Sequence, residues 1–231
     1  MLGQNFIGLQ NTFVDISYML NLGTNETIVD IEAGLNHIVV ITSENRVLTW
    51  GDNANGQLGN GNYLSSSQAI DITANFEFLE NEAIRLIDAY YYNMLVTSEG
   101  RIFTWGRNGR GQLGDGTYTY WNLPIDITEQ FNLSETDKII FASGGYWSSA
   151  AISAEGRVFT WGLNSHYQLA NGMTSSSLTP QEITQNFNID EEDKIIGITI
   201  GGCHGVAFSQ LGRVFTWGTY DYLLGDGATS N

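Results

Sequence analysis

Positively charged residues are scarce in this 231-residue chain, which has nine Lys and Arg against 25 Asp and Glu. The resulting net charge of −16 removes the sequence-independent attraction to phosphate on which nucleic-acid binding depends. We therefore expect neither DNA nor RNA as a partner. An anionic membrane surface is disfavoured on the same ground.

Cysteine and long apolar runs are also lacking. The single cysteine, Cys203, excludes an intramolecular disulfide framework and any multi-cysteine zinc site. No run of 18 apolar residues occurs, and Met1 is followed by neither the basic segment nor the apolar segment of a secretory signal. We therefore expect a cytoplasmic protein. With 42% hydrophobic and 12% aromatic residues, the chain still has enough apolar material for a substantial core.

What the chain does have is a repeat of about 56 residues. Thr-Trp-Gly occurs four times, and its tryptophans, Trp50, Trp105, Trp161 and Trp217, are 55, 56 and 56 residues apart. The flanks repeat too, as RVLTWGDNANGQLGNG, RIFTWGRNGRGQLGDG, RVFTWGLNSHYQLANG and RVFTWGTYDYLLGDG. A second block begins at Asp15, Asp71, Asp126 and Glu182. Two independent blocks in four copies each indicate a repeat architecture.

Each repeat unit contains short apolar runs bounded by Gly, Asn, Asp and Ser, which is typical of β-strands. In the first complete unit we predict strand A at 28–34, B at 37–43, C at 46–51 and D at 68–73. Short sheets with two apolar faces are stable only when copies cover one another, so the pattern predicts an all-β propeller. We divide the single repeat domain, 1–231, into units at about 1–27 (partial), 28–83, 84–138, 139–194 and 195–231 (partial).

The segment WGxNxxGQLGxG after a strand that ends in Trp resembles the repeat of the regulator of chromosome condensation (RCC1) superfamily of β-propellers. Gly-x-x-His precedes strand C at 34–37 and 201–204, as in that family. Two units depart from the pattern, with Ala89-Tyr90-Tyr91-Tyr92 and Gly145-Tyr146-Trp147-Ser148 in its place. Tyr167 and Tyr222 also replace the glycines at Gly56 and Gly111.

The number of blades is unusual for such a propeller. The resemblance implies seven blades, whereas this length supplies about four, and a remnant at 2–11 with a D strand at 12–17 precedes the first complete unit. We favour an incomplete propeller that forms an open arc. A closed ring of four blades, completed by the N-terminal D strand, and a self-paired dimer are the alternatives.

No catalytic or metal-binding set emerges from the pattern. His37 and His204 share one repeat position, which favours a hydrogen-bonding role at the start of strand B. Cys203 lies beside His204 but has no further ligands nearby in sequence, and no nucleophile, zinc-protease or phosphate-loop motif occurs. We therefore predict a protein that is not an enzyme, with no cofactor, no metal and no small-molecule substrate. The four repeated tryptophans are expected to pack between neighbouring blades.

The acids are expected on one face of the propeller. In an antiparallel A-B-C-D blade the B–C and D–A links share one face, and the A–B and C–D links share the other. Sorted in this way, 14 of the 25 acids lie on the first face, near the repeated Arg46, Arg101, Arg157 and Arg213, which could neutralise some of them. A basic protein surface would be attracted to such a face. The 14 acids are Glu26, Glu44, Glu77, Glu80, Glu82, Glu99, Glu129, Glu135, Asp137, Glu155, Asp190, Glu191, Glu192 and Asp193.

The other face is nearly free of charge and rich in aromatic residues. Tyr, Trp and Arg are enriched at binding hot spots, and loops on a rigid scaffold are where sites are usually built. We predict that at least one of the three consecutive tyrosines is exposed beside Arg107 or Arg110 and that Trp121 completes the patch. The candidate binding residues are Tyr90, Tyr91, Tyr92, Arg107, Arg110, Tyr118, Tyr120, Trp121, Tyr146 and Trp147.

These observations favour a non-enzymatic scaffold for protein–protein interaction. The resemblance implies a second possibility, guanine-nucleotide exchange on a small GTPase. That activity depends in the family on a complete disc and on specialised inserted loops, whereas the units here have nearly equal lengths. A third possibility is a targeting segment of a larger multidomain protein.

Overall fold

The computed structural model describes residues 12–219 and 224–225, which form four antiparallel sheets. In each sheet the strands are neighbours in chain order. The first three sheets have four strands and the last has three among the described residues. The sheets are β1 (Ile28–Ala33), β2 (His37–Thr42), β3 (Val47–Gly51) and β4 (Ser66–Asp71); β5 (Ile84–Ala89), β6 (Tyr92–Thr97), β7 (Ile102–Gly106) and β8 (Trp121–Asp126); β9 (Ile139–Gly144), β10 (Ser148–Ser153), β11 (Val158–Gly162) and β12 (Ser177–Glu182); and β13 (Ile195–Ile200), β14 (His204–Ser209) and β15 (Val214–Gly218).

The register repeats from sheet to sheet, which confirms the predicted blades. Each repeated tryptophan lies on the third strand of its sheet, opposite the second residue of the preceding strand. Trp105 pairs with Asn93 and Trp161 with Ser149. The turn between the second and third strands needs a left-handed residue at one position, and Asn45, Gly100, Gly156 and Gly212 fill it with φ of 62° to 84°.

The cores lie between successive sheets. One cluster joins the first and second sheets around Ile72, Phe76 and Trp105, and a second joins the next pair around Ile127, Phe131 and Trp161. A third lies between the last two sheets. The sheets are therefore stacked side by side like propeller blades, and among the described residues they form an open arc that does not close.

The predicted D strand at 12–17 is wrong. Residues 12–16 are not in a strand, and a 3₁₀ turn follows at Ser17–Leu20. A D strand needs a C strand beside it, and the remnant at 2–11 that would supply one lies outside the described residues. The same block in later units ends its strand at Asp71, Asp126 or Glu182 and continues into a 3₁₀ turn.

None of the helical turns in the described ranges has the length or apolarity of a membrane-spanning helix.

Candidate binding surface

Three of the four repeated tryptophans join neighbouring blades, as predicted. Trp105 and Trp161 are fully buried, and each indole Nε1 donates a hydrogen bond to a carbonyl of the preceding unit. The acceptors are Gln57 O at 3.0 Å and Gln112 O at 2.8 Å, and Trp217 donates to Gln168 O in the same way. Trp50 is half-buried. The loop that would correspond to Gln57 for Trp50 falls within residues 1–11, outside the described part.

The first residue of the second strand also joins blades in the first two units. His37 Nε2 lies 2.6 Å from Asn93 Oδ1, and Asn93 Nδ2 donates to Gln57 O at 2.9 Å. Burial lowers the pKa of His37, so the neutral ring is favoured. These contacts agree with the structural role predicted for this histidine.

In the second unit, Tyr92 occupies the repeat position that His37 has in the first. Its location contradicts the prediction that Tyr92 is a binding residue. The ring is buried, with 1% of its surface exposed, and its Oη donates to Ser148 O at 2.9 Å. Tyr92 therefore belongs to the joint between the second and third sheets. It has no surface to offer a partner, because the ring replaces the histidine in the interblade contact.

Six of the predicted binding residues come together on the face formed by the A–B and C–D links. Tyr91 and Tyr146 have ring centroids 5.1 Å apart and hydroxyl oxygens 3.3 Å apart, although they lie on neighbouring units. Tyr90 packs on Tyr146 at 5.5 Å, and Trp147 packs on Tyr146 at 4.2 Å. All four rings are partly exposed.

Two arginines cover this cluster. The guanidinium of Arg107 lies 4.9 Å from the centroid of Tyr91, and that of Arg110 lies 5.6 Å from the centroid of Trp147. Both distances are within cation–π range. The hydrogen bond to Tyr146 raises the pKa of Tyr91, so the phenol stays neutral. We call the set Tyr90, Tyr91, Arg107, Arg110, Tyr146 and Trp147 the aromatic–arginine surface.

The remaining predicted residues lie elsewhere on the second unit. Trp121 Nε1 donates to Asp115 Oδ2 at 2.7 Å, and its half-buried ring packs against the core between the second and third sheets. Tyr118 is exposed, and Tyr120 accepts a hydrogen bond at its carbonyl from Tyr63. Among the ring contacts and cation–π contacts of the described residues, none joins Trp121 to the aromatic–arginine surface.

The opposite face carries the repeated arginines, and the predicted local neutralisation is confirmed for Arg46, Arg101 and Arg157. Arg213 has no carboxylate within ion-pair distance among the described residues. Arg101 Nη1 lies 2.9 Å from Glu82 Oε2, and its Nε lies 2.9 Å from Asp126 Oδ2. Arg46 bridges Glu26 and Asp71 in the same way, at 3.1 and 2.8 Å. Arg157 lies 2.7 Å from Glu182, and this hydrogen bond lowers the pKa of Glu182.

Four of the acids assigned to this face are in fact buried. Glu26, Glu82, Asp137 and Asp193 share one repeat position and accept hydrogen bonds from backbone N–H groups, such as Leu79 N on Glu82 Oε2 at 2.7 Å. They hold the link before the first strand of each sheet, so they do not contribute to a docking face. The other ten acids of that set are exposed. Within the described ranges, no three His, Cys, Asp or Glu side chains form a group that could hold a metal ion.

Family models confirm the repeat. Two models of the regulator of chromosome condensation (RCC1) repeat match the chain, one over residues 44–71, 99–152 and 155–208, and the other over 28–57 and 139–168. Together they match residues 28–71 and 99–208, which lie in the first three complete units and the start of the fourth.

Longer proteins contain similar segments. The chain is 32% identical over 190 residues to the human probable E3 ubiquitin-protein ligase HERC6, covering 81% of this chain and 17% of the ligase. It is 29% identical over 196 residues to the mouse secretion-regulating guanine nucleotide exchange factor, covering 83% of this chain and 41% of that protein. The chain thus spans less than half the length of these relatives.

Solved structures share the fold. Human WBSCR16 aligns with a TM-score of 0.71 and 24% identity, over 85% of this chain and 48% of that one. Prp20p from Saccharomyces cerevisiae, whose structure is described with its binding properties to Gsp1p and histones, aligns with a TM-score of 0.69 and 20% identity. That alignment covers 90% of this chain and 49% of Prp20p.

Proposed function

Because this chain belongs to the family of regulator of chromosome condensation (RCC1) repeat proteins, we propose that it is a non-enzymatic scaffold that binds a partner protein through the aromatic–arginine surface. One observation carries the proposal: four partly exposed rings and two arginines from two neighbouring units converge on one face. The repeat does not require these side chains, because the first unit has Leu35, Asn36, Asp52 and Asn55 at corresponding positions.

A protein is the partner that suits this surface. Tyr, Trp and Arg contribute the largest share of binding energy in protein interfaces, and the rigid blades hold them with little loss of side-chain entropy on binding. The net charge of −16 works against nucleic acid. Prp20p, which shares the fold, is described with binding to the proteins Gsp1p and histones, and this supports the choice.

Guanine-nucleotide exchange on a small GTPase is the second candidate, supported by the similarity to the secretion-regulating exchange factor. The three complete units have the same 15-residue step from the end of the third strand to the start of the fourth. None of these three units therefore carries an extra C–D loop that could act as a wedge at a nucleotide. Nucleotide release from a panel of small GTPases separates the candidates, because accelerated release by this chain would favour exchange over the scaffold.

A targeting segment of a longer protein is the third candidate. The similarity to HERC6, of which the chain covers 17%, supports it. This candidate is compatible with the proposed scaffold, since a repeat domain that binds a partner could also direct the rest of a longer chain to it.

The proposal is tested by a matched pair of double variants. Tyr91→Ala with Arg110→Ala should leave the fold intact and remove the partner recovered with the wild-type chain. Asn36→Ala with Asn55→Ala makes the corresponding changes in the first unit and should retain that partner. Circular dichroism and melting temperature check folding in both. Retention of the partner by the Tyr91/Arg110 variant would contradict the proposal.

A further inference from the structure

The position after Trp-Gly differs between units in a way that points to a ligand. In the first unit it is Asp52, whose Oδ2 accepts a hydrogen bond from Gln57 Nε2 at 2.9 Å. Its Oδ1 accepts from Ser65 Oγ at 3.1 Å and from Ala54 N at 3.3 Å. The Asp52 carboxylate therefore satisfies the buried Gln57 amide from within the unit.

The second unit has Arg107 at this position, so the acceptor is replaced by a cation. Gln112, which corresponds to Gln57, is fully buried, and its Nε2 has no hydrogen-bond partner among the described residues. The amide is fixed in place, because Gln112 Oε1 accepts from Arg110 N at 2.8 Å. An unpaired buried donor destabilises the folded protein, and an incoming acceptor would remove that cost.

A second unpaired donor belongs to the same surface. Trp147 Nε1 is buried without a hydrogen-bond partner in the described residues, and Arg110 lies over its ring. Neither Arg107 nor Arg110 has a carboxylate within ion-pair distance among the described residues, which is also true of Arg85, Lys194 and Arg213, whereas Arg46, Arg101, Lys138 and Arg157 each have one. The surface thus combines two guanidinium groups with two buried, unpaired N–H donors, and such groups recognise an anion once the donors are uncovered.

We propose that Arg107 and Gln112 bind a carboxylate from an acidic segment of the partner protein, in the place that the Asp52 carboxylate takes in the first unit. The proposal rests on the proposed function and adds the chemistry of the partner. Because Gln112 Nε2 is buried in the free protein, the side chains that cover it must move before a carboxylate can reach it.

The third unit shows that an unpaired glutamine alone does not make a site. Leu163 stands at the same position, and Gln168 Nε2 is also buried without a partner in the described residues. That unit has no cation there and offers nothing to balance an anion. At this position the second and third units therefore differ by the charge of Arg107, and Leu and Asp are both residues that the fold already accepts there.

The probe is an acetylated and amidated tetraglutamate peptide, titrated into the full chain labelled with ¹⁵N. We expect saturable shifts of the Gln112 side-chain amide and Trp147 indole N–H resonances, with tetraglutamine leaving both unmoved. Arg107→Leu copies the third unit and should weaken binding about tenfold or more, the usual worth of a charge-assisted hydrogen bond. Arg107→Asp copies the first unit, so it should abolish binding and raise the melting temperature.

Several results would overturn the proposal. They are unmoved resonances with tetraglutamate, equal shifts with tetraglutamine, or unchanged affinity in Arg107→Leu. Inorganic phosphate or a phosphoserine peptide that shifts both resonances where tetraglutamate does not would reject the carboxylate in favour of phosphate.

Failure of this proposal is distinguishable from failure of the proposed function. If the peptide does not bind but the Tyr91/Arg110 double variant still loses the partner, the surface is the site and only its ligand chemistry is wrong. If the double variant keeps the partner, the proposed function itself fails.

Discussion

Asp88 is a largely buried carboxyl at the seam between the second and third sheets. Its Oδ2 accepts a hydrogen bond from Gly144 N at 3.2 Å. Burial raises the pKa of Asp88 to about 6, and the nearby charge of Glu32 adds to the rise, while the hydrogen bond from Gly144 opposes it. The folded state therefore holds a proton on Asp88 that the unfolded chain releases near pH 4.

This shift makes a prediction about stability. Because the folded pKa lies above the unfolded one, the stability that Asp88 contributes is present below about pH 4 and is lost as pH rises through about 6. Asp88→Asn keeps an acceptor for Gly144 N and removes the charge. The unfolding free energy of the variant minus that of the wild-type chain should therefore increase by on the order of 2 kcal/mol when the pH is raised from 4.5 to 7.

Urea denaturation at both pH values measures the difference. The opposite pH dependence of His37, whose pKa is lowered by burial, is the same in both proteins and cancels. A constant difference between variant and wild type across this range would show that Asp88 does not titrate as described.

Single residues were the hardest features to predict. The sequence places Tyr90, Tyr91 and Tyr92 together, but only the fold shows that Tyr92 replaces His37 in an interblade contact and is buried. Likewise Glu26 and Glu82 were predicted to be surface acids. They are buried because backbone N–H groups of their own links bind them, and the sequence pattern does not predict the conformation of those links. Gln112 was missed as well, although the change from Asp52 to Arg107 beside an unchanged glutamine was a readable signal.

At the scale of elements, the third strand of each unit fastens one sheet to the next. Trp105 extends from β7 to the carbonyl of Gln57 in the preceding unit and packs edge-on against Phe76. Trp161 repeats this arrangement with Gln112 and Phe131. The tryptophan thus belongs to two sheets at once, which explains why it recurs in every unit.

Removal of one such ring should weaken the whole arc. Trp105→Ala empties a fully buried site and loses a buried hydrogen bond, so we expect a loss of about 3–5 kcal/mol in unfolding free energy. Tyr118→Ala, at an exposed ring of the same unit, is the control and should change stability by about 0.5 kcal/mol or less. Urea denaturation measures both losses. Equal losses in the two variants would contradict the role of the tryptophan in joining neighbouring sheets.

The strands themselves were predictable to within two residues. Strand A was expected at 28–34 and is β1 at Ile28–Ala33, because turn residues mark both ends. Strand D was expected at 68–73 but ends at Asp71, because a 3₁₀ turn begins at Thr73. The Thr73 Oγ1 accepts a hydrogen bond from Val47 N at this point. The strand expected at 12–17 failed because a β-strand depends on its neighbour, which no local pattern contains.

At the scale of the whole molecule, the two faces differ in charge. Ten exposed acids lie in the B–C and D–A links, and the arginines on that face pair with nearby carboxylates. The aromatic–arginine surface lies on the other face, where Arg107 and Arg110 contact rings instead of acids. A partner with an acidic segment is repelled from the first face and attracted to the second, so charge orients its approach.

Hydrogen exchange on the complex tests the central claim, that a partner protein binds the aromatic–arginine surface. The partner recovered with the wild-type chain is added back, and amide exchange is compared with and without it. We predict slower exchange in segments 88–92, 105–112 and 144–148, and unchanged exchange in the acidic links 77–82, 132–137 and 188–193. Protection confined to the acidic links, with the first three segments unchanged, would contradict the account.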